Sequence, residues 1–172
     1  MSIHRIGILG FSTVPDNTGR CFFQPYDVTA TNDYFKHMVL ILNDPGASQN
    51  HGVYGKFRIP VNYIGTPKIV VVWTATAITG TCLFAFDYRA VGGDNAESLD
   101  QATFQEQIDI SDVAPSAVNN KLEVSGALTA GNLAADDEVE FYFYRDGTTG
   151  APTDTMAAAA IVHGLYFEYG DI

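Results

Sequence analysis

The stretch that decides the fold is Lys68-Ile-Val-Val-Val-Trp-Thr-Ala-Thr-Ala-Ile-Thr-Gly-Thr-Cys-Leu-Phe-Ala-Phe-Asp-Tyr88. Its first half is rich in β-branched residues, and its second half alternates aromatic and small side chains. Between the two halves, Thr79-Gly80 offers a turn, because glycine adopts the positive φ that a tight hairpin needs. The stretch therefore predicts two strands joined as an antiparallel hairpin.

A two-residue loop would fix the register of this hairpin. It places Trp73 opposite Phe86 and Ala75 opposite Phe84, which makes one face wholly apolar, whereas a slip of one residue would mix apolar and charged positions. We therefore predict that Trp73, Phe84 and Phe86 lie at the centre of a β core. The opposite face is mixed in character, which leaves it open to cover by a neighbouring subunit.

Alternation continues on both sides of this stretch. Residues 138–145 direct Phe141 and Phe143 towards the core and Tyr142 and Tyr144 outwards. Further strands are predicted at 21–26, 34–42, 51–59, 102–110, 122–124 and 158–169, with a helical turn at 156–160 as an alternative to the start of the last one. About eight short strands separated by turn signals indicate an all-β protein, an antiparallel β-sandwich of jelly-roll-like type. We expect an N-terminal arm at 1–20 and a single sandwich domain at 21–172.

The net charge and the lengths of the apolar runs exclude some classes of partner and location. The chain has 172 residues, a net charge of −11 and only nine Lys or Arg, so nucleic acid and anionic membranes are not expected partners. No apolar run reaches the length of a membrane span, and the N-terminus lacks a signal-peptide pattern. Cys21 and Cys82 are interpreted as buried free thiols, and the protein as one made and used without export.

No catalytic or cofactor motif is present. The four histidines, His4, His37, His51 and His163, lack zinc spacing, and no nucleophile elbow or phosphate-binding glycine loop occurs. The acidic pairs match no calcium loop of the EF-hand type. We therefore predict a protein that is not an enzyme and that has no metal site and no cofactor.

Two sets of residues are candidate contacts. Tyr54, Tyr142, Tyr144 and Tyr166 occupy outward positions, where tyrosines serve either a subunit interface or a platform on which sugars stack. Alternation does not separate these two uses. An apolar arm packs either on its own domain or on a neighbour, so the centre of the arm adds four more candidates for contact with another subunit or partner, Ile6, Ile8, Leu9 and Phe11.

Two sequence runs resemble a family of phage proteins. They are Gly55-Lys-Phe-Arg-Ile-Pro-Val-Asn-Tyr-Ile-Gly65 and Pro67-Lys-Ile-Val-Val-Val-Trp-Thr-Ala-Thr-Ala77, the second followed by Thr79-Gly80. Together with Glu138-Val-Glu-Phe-Tyr-Phe-Tyr-Arg-Asp146 and Leu165-Tyr-Phe-Glu-Tyr169, they resemble jelly-roll decoration, or cement, proteins on the virions of tailed bacteriophages. The similarity covers residues 50–170. Its matching positions Pro60, Tyr63, Gly65 and Trp73 determine the fold and bring no catalytic residue.

This resemblance implies a homotrimer on the outer capsid surface of a virion, made in the host cytoplasm, with the major capsid protein as its partner. The implied function is to bind and stabilise the shell, and the eight contact candidates above would then face another subunit or the capsid. The arm lies outside the similar region. The alternative function is a receptor- or carbohydrate-binding module, such as a head fibre or tail knob, that uses the exposed tyrosines.

Overall fold

The computed structural model describes residues 2–10, 13–16, 18–26, 36–46, 49–92, 103–148 and 152–171. These residues form eleven β-strands and one short 3₁₀ turn at Ala130–Asn132. The strands are β1 Ser2–Gly7, β2 Val14–Pro15, β3 Cys21–Pro25, β4 Met38–Leu42, β5 Asn50–Arg58, β6 Gly65–Ala75, β7 Thr81–Val91, β8 Glu106–Val113, β9 Leu122–Ala127, β10 Glu138–Asp146 and β11 Ala160–Asp171. Within this described part, no helix is long and apolar enough to cross a membrane.

The strands form two antiparallel sheets. One sheet has the order β3-β4-β11-β6-β9, with β1 paired to β11 beyond the end of β4, and the other has the order β2-β5-β10-β7-β8. The predicted all-β antiparallel sandwich is confirmed. The terminal strand begins at Ala160, without the alternative helical turn before it.

The predicted hairpin is wrong. Strand β6 pairs with β11 and β9, whereas β7 pairs with β10 and β8, so the chain crosses from one sheet to the other between them. Gly80 does adopt a positive φ of 95°, but its turn leads across the sandwich. Both faces of β6 are buried, and a strand that is apolar on both faces carries no local signal for pairing with its neighbour in sequence.

Although β6 and β7 do not pair with each other, the side chains that we predicted to point inward do so. Trp73 and Phe84 meet across the interior with ring centroids 5.3 Å apart, edge to face. Phe84 stacks on Phe143, and Phe86 stacks on Phe141, within the five-stranded sheet. All five residues that we assigned to the core are buried there. Cys21 and Cys82 are buried free thiols, and burial raises the pKa of both.

The segment that we expected to be an arm belongs to the sandwich. Strand β1 pairs with β11 along its full length, and β2 pairs with β5. Ile8 is buried in the core, and Ile6 and Leu9 pack against it, while the Ile8 N–H donates to the Leu165 carbonyl at 2.9 Å. These three side chains therefore contact the protein's own interior, and their contact with a partner stays a prediction. Phe11 lies outside the described residues.

A charged side chain closes one end of the core. Arg145 is fully buried at the end of β10 and donates to both carboxylate oxygens of Asp154, at 2.8 and 2.7 Å. It also donates to the carbonyls of Met156 and Ala158. The guanidinium thus has four acceptors, which is the condition under which a buried charge is tolerated.

Replacement of Arg145 tests this buried pair. We expect Arg145→Met to lower the free energy of unfolding by about 3–5 kcal/mol, because Asp154 would remain as a buried carboxylate without its cation. The measurement is urea unfolding followed by fluorescence. The control is Lys56→Met, which removes the exposed partner of Glu138 and should cost at most about 1 kcal/mol.

A double variant separates the lost pair from general damage. Arg145→Met with Asp154→Leu removes both charges, so it should recover part of the stability that Arg145→Met loses. Equal losses in Arg145→Met and Lys56→Met would contradict a central role for the buried pair.

The buried His51 predicts a pH dependence of stability. It is fully buried on β5, neither ring nitrogen has a hydrogen-bond partner in the described structure, and burial lowers its pKa from the ordinary 6.5. Below pH 6.5 the ring therefore binds a proton more readily in the unfolded chain than in the folded protein. The free energy of unfolding consequently decreases as the pH is lowered. Between pH 7 and about pH 5, wild type should lose more stability than His51→Leu. Parallel curves for the two proteins would show that His51 does not contribute.

Candidate functional site

A row of three tyrosines lies on the outward face of the five-stranded sheet. Tyr142 on β10 is directly opposite Tyr54 on β5, and their rings stack with centroids 4.3 Å apart. Tyr144, two residues further along β10, stacks on the other side of Tyr142 at 4.5 Å. We call Tyr54, Tyr142 and Tyr144 the tyrosine ladder. The β register builds it, because alternate residues of one strand and the facing residue of the next share a face.

The ladder is graded from exposed to buried. Tyr54 is 54% exposed, Tyr142 is half-buried and Tyr144 is only 4% exposed. Tyr144 faces Gly52 across the strand pair, and a Cβ on that glycine would lie 2.4 Å from the Tyr144 Cβ. The absence of a side chain at Gly52 therefore makes room for Tyr144. Tyr54 and Tyr144 cover the two faces of Tyr142, so within the ladder Tyr54 is the residue that can offer a ring face to a ligand.

Carboxylates hold the hydroxyl groups of the ladder. The Tyr142 hydroxyl donates to Asp16 at 3.1 Å, and the Tyr144 hydroxyl donates to Asp87 at 3.3 Å. Burial, together with these acids, raises the pKa of both tyrosines. Burial also opposes ionisation of Asp16, but hydrogen bonds from Thr18, Gly52 and Tyr142 outweigh it and lower its pKa. The rings are therefore fixed in orientation by their polar ends.

A groove of about 350 Å³ runs beside Tyr54 and Tyr142. Its other wall includes Phe104, which is half-exposed just before β8. The neighbouring Gln105 ties this segment to β7, since its N–H donates to the Tyr88 carbonyl at 2.8 Å. The groove thus has aromatic groups on two sides. Its polar lining includes Asp87, Arg89 and Glu140.

The charged groups of the groove differ in their partners. Arg89 donates to Glu140 from Nε at 2.6 Å and from the terminal nitrogen Nη2 at 2.5 Å. Asp87 is directly opposite Tyr142 on β10. Burial and the nearby Asp109 and Asp146 raise the pKa of Asp87 to about 6, against the hydrogen bond from Tyr144. A half-buried carboxylate and a guanidinium are groups that orient a hydroxylated ligand.

The other sheet carries a larger cavity, whose described lining includes no Asp, Glu, Lys or Arg. It has a volume of about 480 Å³ and is lined mainly by Leu9, Phe23, Met38 and Leu165. Tyr166 and His163 also border it, and His163 shares a 2.7 Å hydrogen bond with His37. Burial, and then His37, lower the pKa of His163 to about 4.

The four tyrosines singled out from the sequence therefore separate. Tyr54, Tyr142 and Tyr144 come together, although Tyr144 is buried, while Tyr166 lies on the opposite sheet. The sequence analysis did not assign Asp16, Asp87, Arg89 or Phe104 to a site. Alternation along β7 could have identified Asp87 and Arg89, because they fill the same outward positions as Ala85.

No group of three or more His, Cys, Asp or Glu side chains in the described ranges is placed to hold a metal ion. The site consists of aromatic rings, carboxylates and one guanidinium. Such a set can bind by stacking and hydrogen bonding.

Comparison with known proteins identifies the fold. No family model and no curated protein matches the sequence. Among solved structures, the CBM22-2 xylan-binding domain of Paenibacillus barcinonensis Xyn10C is similar at a TM-score of 0.52 and 8% identity, over 97% of this chain and 99% of that one. The CBM35 of Cellvibrio japonicus Abf62 is similar at 0.50 and 8% identity, over 99% and 95%.

An exo-β-agarase is similar at a TM-score of 0.55 and 10% identity, over 98% of this chain. The chain spans a quarter of the length of that agarase. At such low identity the likeness concerns the fold alone. The chain has the β-sandwich fold that is also found in carbohydrate-binding modules.

Proposed function

We propose that this protein is a carbohydrate-binding module whose ligand lies in the groove between the tyrosine ladder and Phe104. The observation that carries the proposal is the exposed ring of Tyr54, stacked on Tyr142 at the edge of a groove that also holds a carboxylate and a guanidinium. A sugar ring has an apolar C–H face and a rim of hydroxyl groups. The C–H face suits the negative face of an aromatic ring, and the hydroxyl groups suit the polar lining.

The dimensions favour a short ligand segment. The groove is shallow and open to solvent, with a volume of about 350 Å³. The groove therefore suits one or two sugar units of a glycan, with the rest of the chain in solvent. The ladder needs no rearrangement to present its outer ring, because Tyr142 and Tyr144 are already held by Asp16 and Asp87.

The solved structures support this proposal through their fold. Two of them are carbohydrate-binding modules by description, one of which is a xylan-binding domain. Because one fold hosts many functions, the groove itself is the main argument. That the protein is not an enzyme stays a prediction.

The capsid-decoration role stays a prediction that these comparisons do not test. It depended in part on an apolar arm that would reach a partner. Ile8 is buried within the protein itself, and Ile6 packs against the same core, which leaves less apolar surface for such a contact. Trimer formation and a location on the virion likewise remain predictions.

Tyrosine variants test the carbohydrate site. A glycan array should first give saturable binding to a defined ligand. By calorimetry with that ligand, Tyr54→Ala should then weaken binding at least about tenfold, because the stacking face is lost. Tyr142→Phe should weaken binding less than Tyr54→Ala, because it keeps the ring and removes only the hydroxyl group that bonds Asp16.

The matched control is Tyr166→Ala, which removes a half-buried tyrosine on the opposite sheet. It should leave affinity unchanged, with folding checked by thermal melting. A flat array, or full affinity in Tyr54→Ala, would contradict the proposal.

A further inference from the structure

We infer that the groove selects glycans that carry free amino groups, of the glucosamine type, over neutral glycans, and disfavours glycans that carry uronic acids. The inference rests on the proposed function and names the class of ligand for the same groove. It follows from the balance of charge around Asp87.

Asp87 is a carboxylate of the groove with spare capacity to accept hydrogen bonds. One of its oxygens accepts the Tyr144 hydroxyl at 3.3 Å. In the described part of the chain, it has no other hydrogen bond and no ion pair. A carboxylate has about four lone-pair positions, so most of its capacity is available to a donor that enters the groove.

The cations near Asp87 are bound to other acids. Arg89, which is largely buried, pairs with Glu140. Further along the same face, Lys56 pairs with Glu138 at 3.1 Å, and Arg58 pairs with Asp136 at 3.3 Å. No cation among the described residues pairs with Asp87. The groove therefore lacks one positive charge, which a ligand can supply.

Like charges surround Asp87 as well. Asp109 lies on the adjacent strand β8, and Asp146 lies on β10. With burial, these acids raise the pKa of Asp87 to about 6. Other side chains also face Asp87. They are Arg89 on its own strand, Glu140, Tyr142, Tyr144 and Asp146 on β10, Gln107 and Asp109 on β8, and Thr103 and Phe104 before β8.

An ammonium group of a ligand would stabilise the ionised form of Asp87. It would donate to the available oxygen of Asp87 in a charge-assisted hydrogen bond, and it would offset the repulsion from Asp109 and Asp146. A neutral hydroxyl group gives only the ordinary hydrogen bond. A uronate would add a further negative charge to a surface that already holds Asp87, Glu140 and Asp109.

Four tetrasaccharides compare the ligand classes by calorimetry. They are β-1,4-linked glucosamine, its N-acetylated form and cellotetraose, which share one linkage and differ at C2, with oligogalacturonate as the acidic probe. At pH 6.5 and low salt, where much of the amine is protonated and most of Asp87 is ionised, the glucosamine tetramer should bind at least about tenfold more tightly than cellotetraose, because it adds a charged hydrogen bond. The acidic probe should bind most weakly.

Asp87→Asn is the decisive variant. It should remove most of the glucosamine preference while it keeps affinity for cellotetraose. In wild type, the preference should shrink at pH 5, because Asp87 is protonated below about 6. The control Glu123→Gln removes an exposed acid from the other sheet and should keep the preference.

The outcomes separate the two proposals. Binding of neither these probes nor any glycan on the array would refute the proposed function itself. Equal affinity for glucosamine and cellulose tetramers, or a preference that persists in Asp87→Asn, would overturn only the inference about the amino group. Glucosamine binding that survives in Tyr54→Ala would also overturn it, because the attraction would then come from the overall negative charge of the chain.

Discussion

The buried pair of Arg145 and Asp154 joins the central strands of both sheets. Arg145 ends β10, the middle strand of the five-stranded sheet, and it binds the segment that leads into β11, the middle strand of the other sheet. Asp154 also accepts the N–H of Leu83 on β7 at 3.0 Å. One ion pair thus fixes the end of the core, the approach to β11 and the start of β7. Because the ion pair also accepts the backbone N–H of Leu83, a hydrophobic replacement at both positions would restore only part of the stability, and the pair also specifies how these segments meet.

The candidate site uses the rigidity of the same strand. Tyr144 precedes Arg145 directly, and Tyr142 lies two residues further from the ion pair. Because β10 is bonded on both sides, to β5 and to β7, the ladder and Asp87 hold fixed positions relative to one another. Asp87 bears a cost in this arrangement, since its raised pKa means that its ionised form is disfavoured where it lies. An unfavourable charge on a rigid surface is what one expects where a ligand completes the site.

The sequence predicts the strands and the direction of their side chains, but it does not predict which strands pair. Alternation placed Phe141 and Phe143 inward and Tyr142 outward, because a period of two is a local property of the chain. The choice between pairing β6 with β7 and crossing to the other sheet depends on contacts between distant segments. Since β6 is buried on both faces, its sequence did not distinguish these alternatives.

The same limit applies to the N-terminal segment and to the site. Strand β1 finds its partner in β11, more than 150 residues away, and no local pattern signals that pairing. The outward tyrosines were visible as single positions, but their assembly into a ladder required the register of β5 against β10. The burial of Tyr144 depends on Gly52, whose role becomes evident only when the two residues face each other.

The composition of the two cavities, and not their size, decides between them as a carbohydrate site. The larger one is lined mainly by apolar side chains, and its histidine already shares a hydrogen bond with His37. A sugar that entered it would lose water from its hydroxyl groups without equivalent partners, at a cost of roughly 1–3 kcal/mol for each unpaired group. The smaller groove offers Asp87 and Arg89 beside an exposed aromatic ring. A few such unpaired groups would outweigh the gain from a larger apolar contact, so the groove beside the tyrosine ladder is the better site for a hydroxylated ligand.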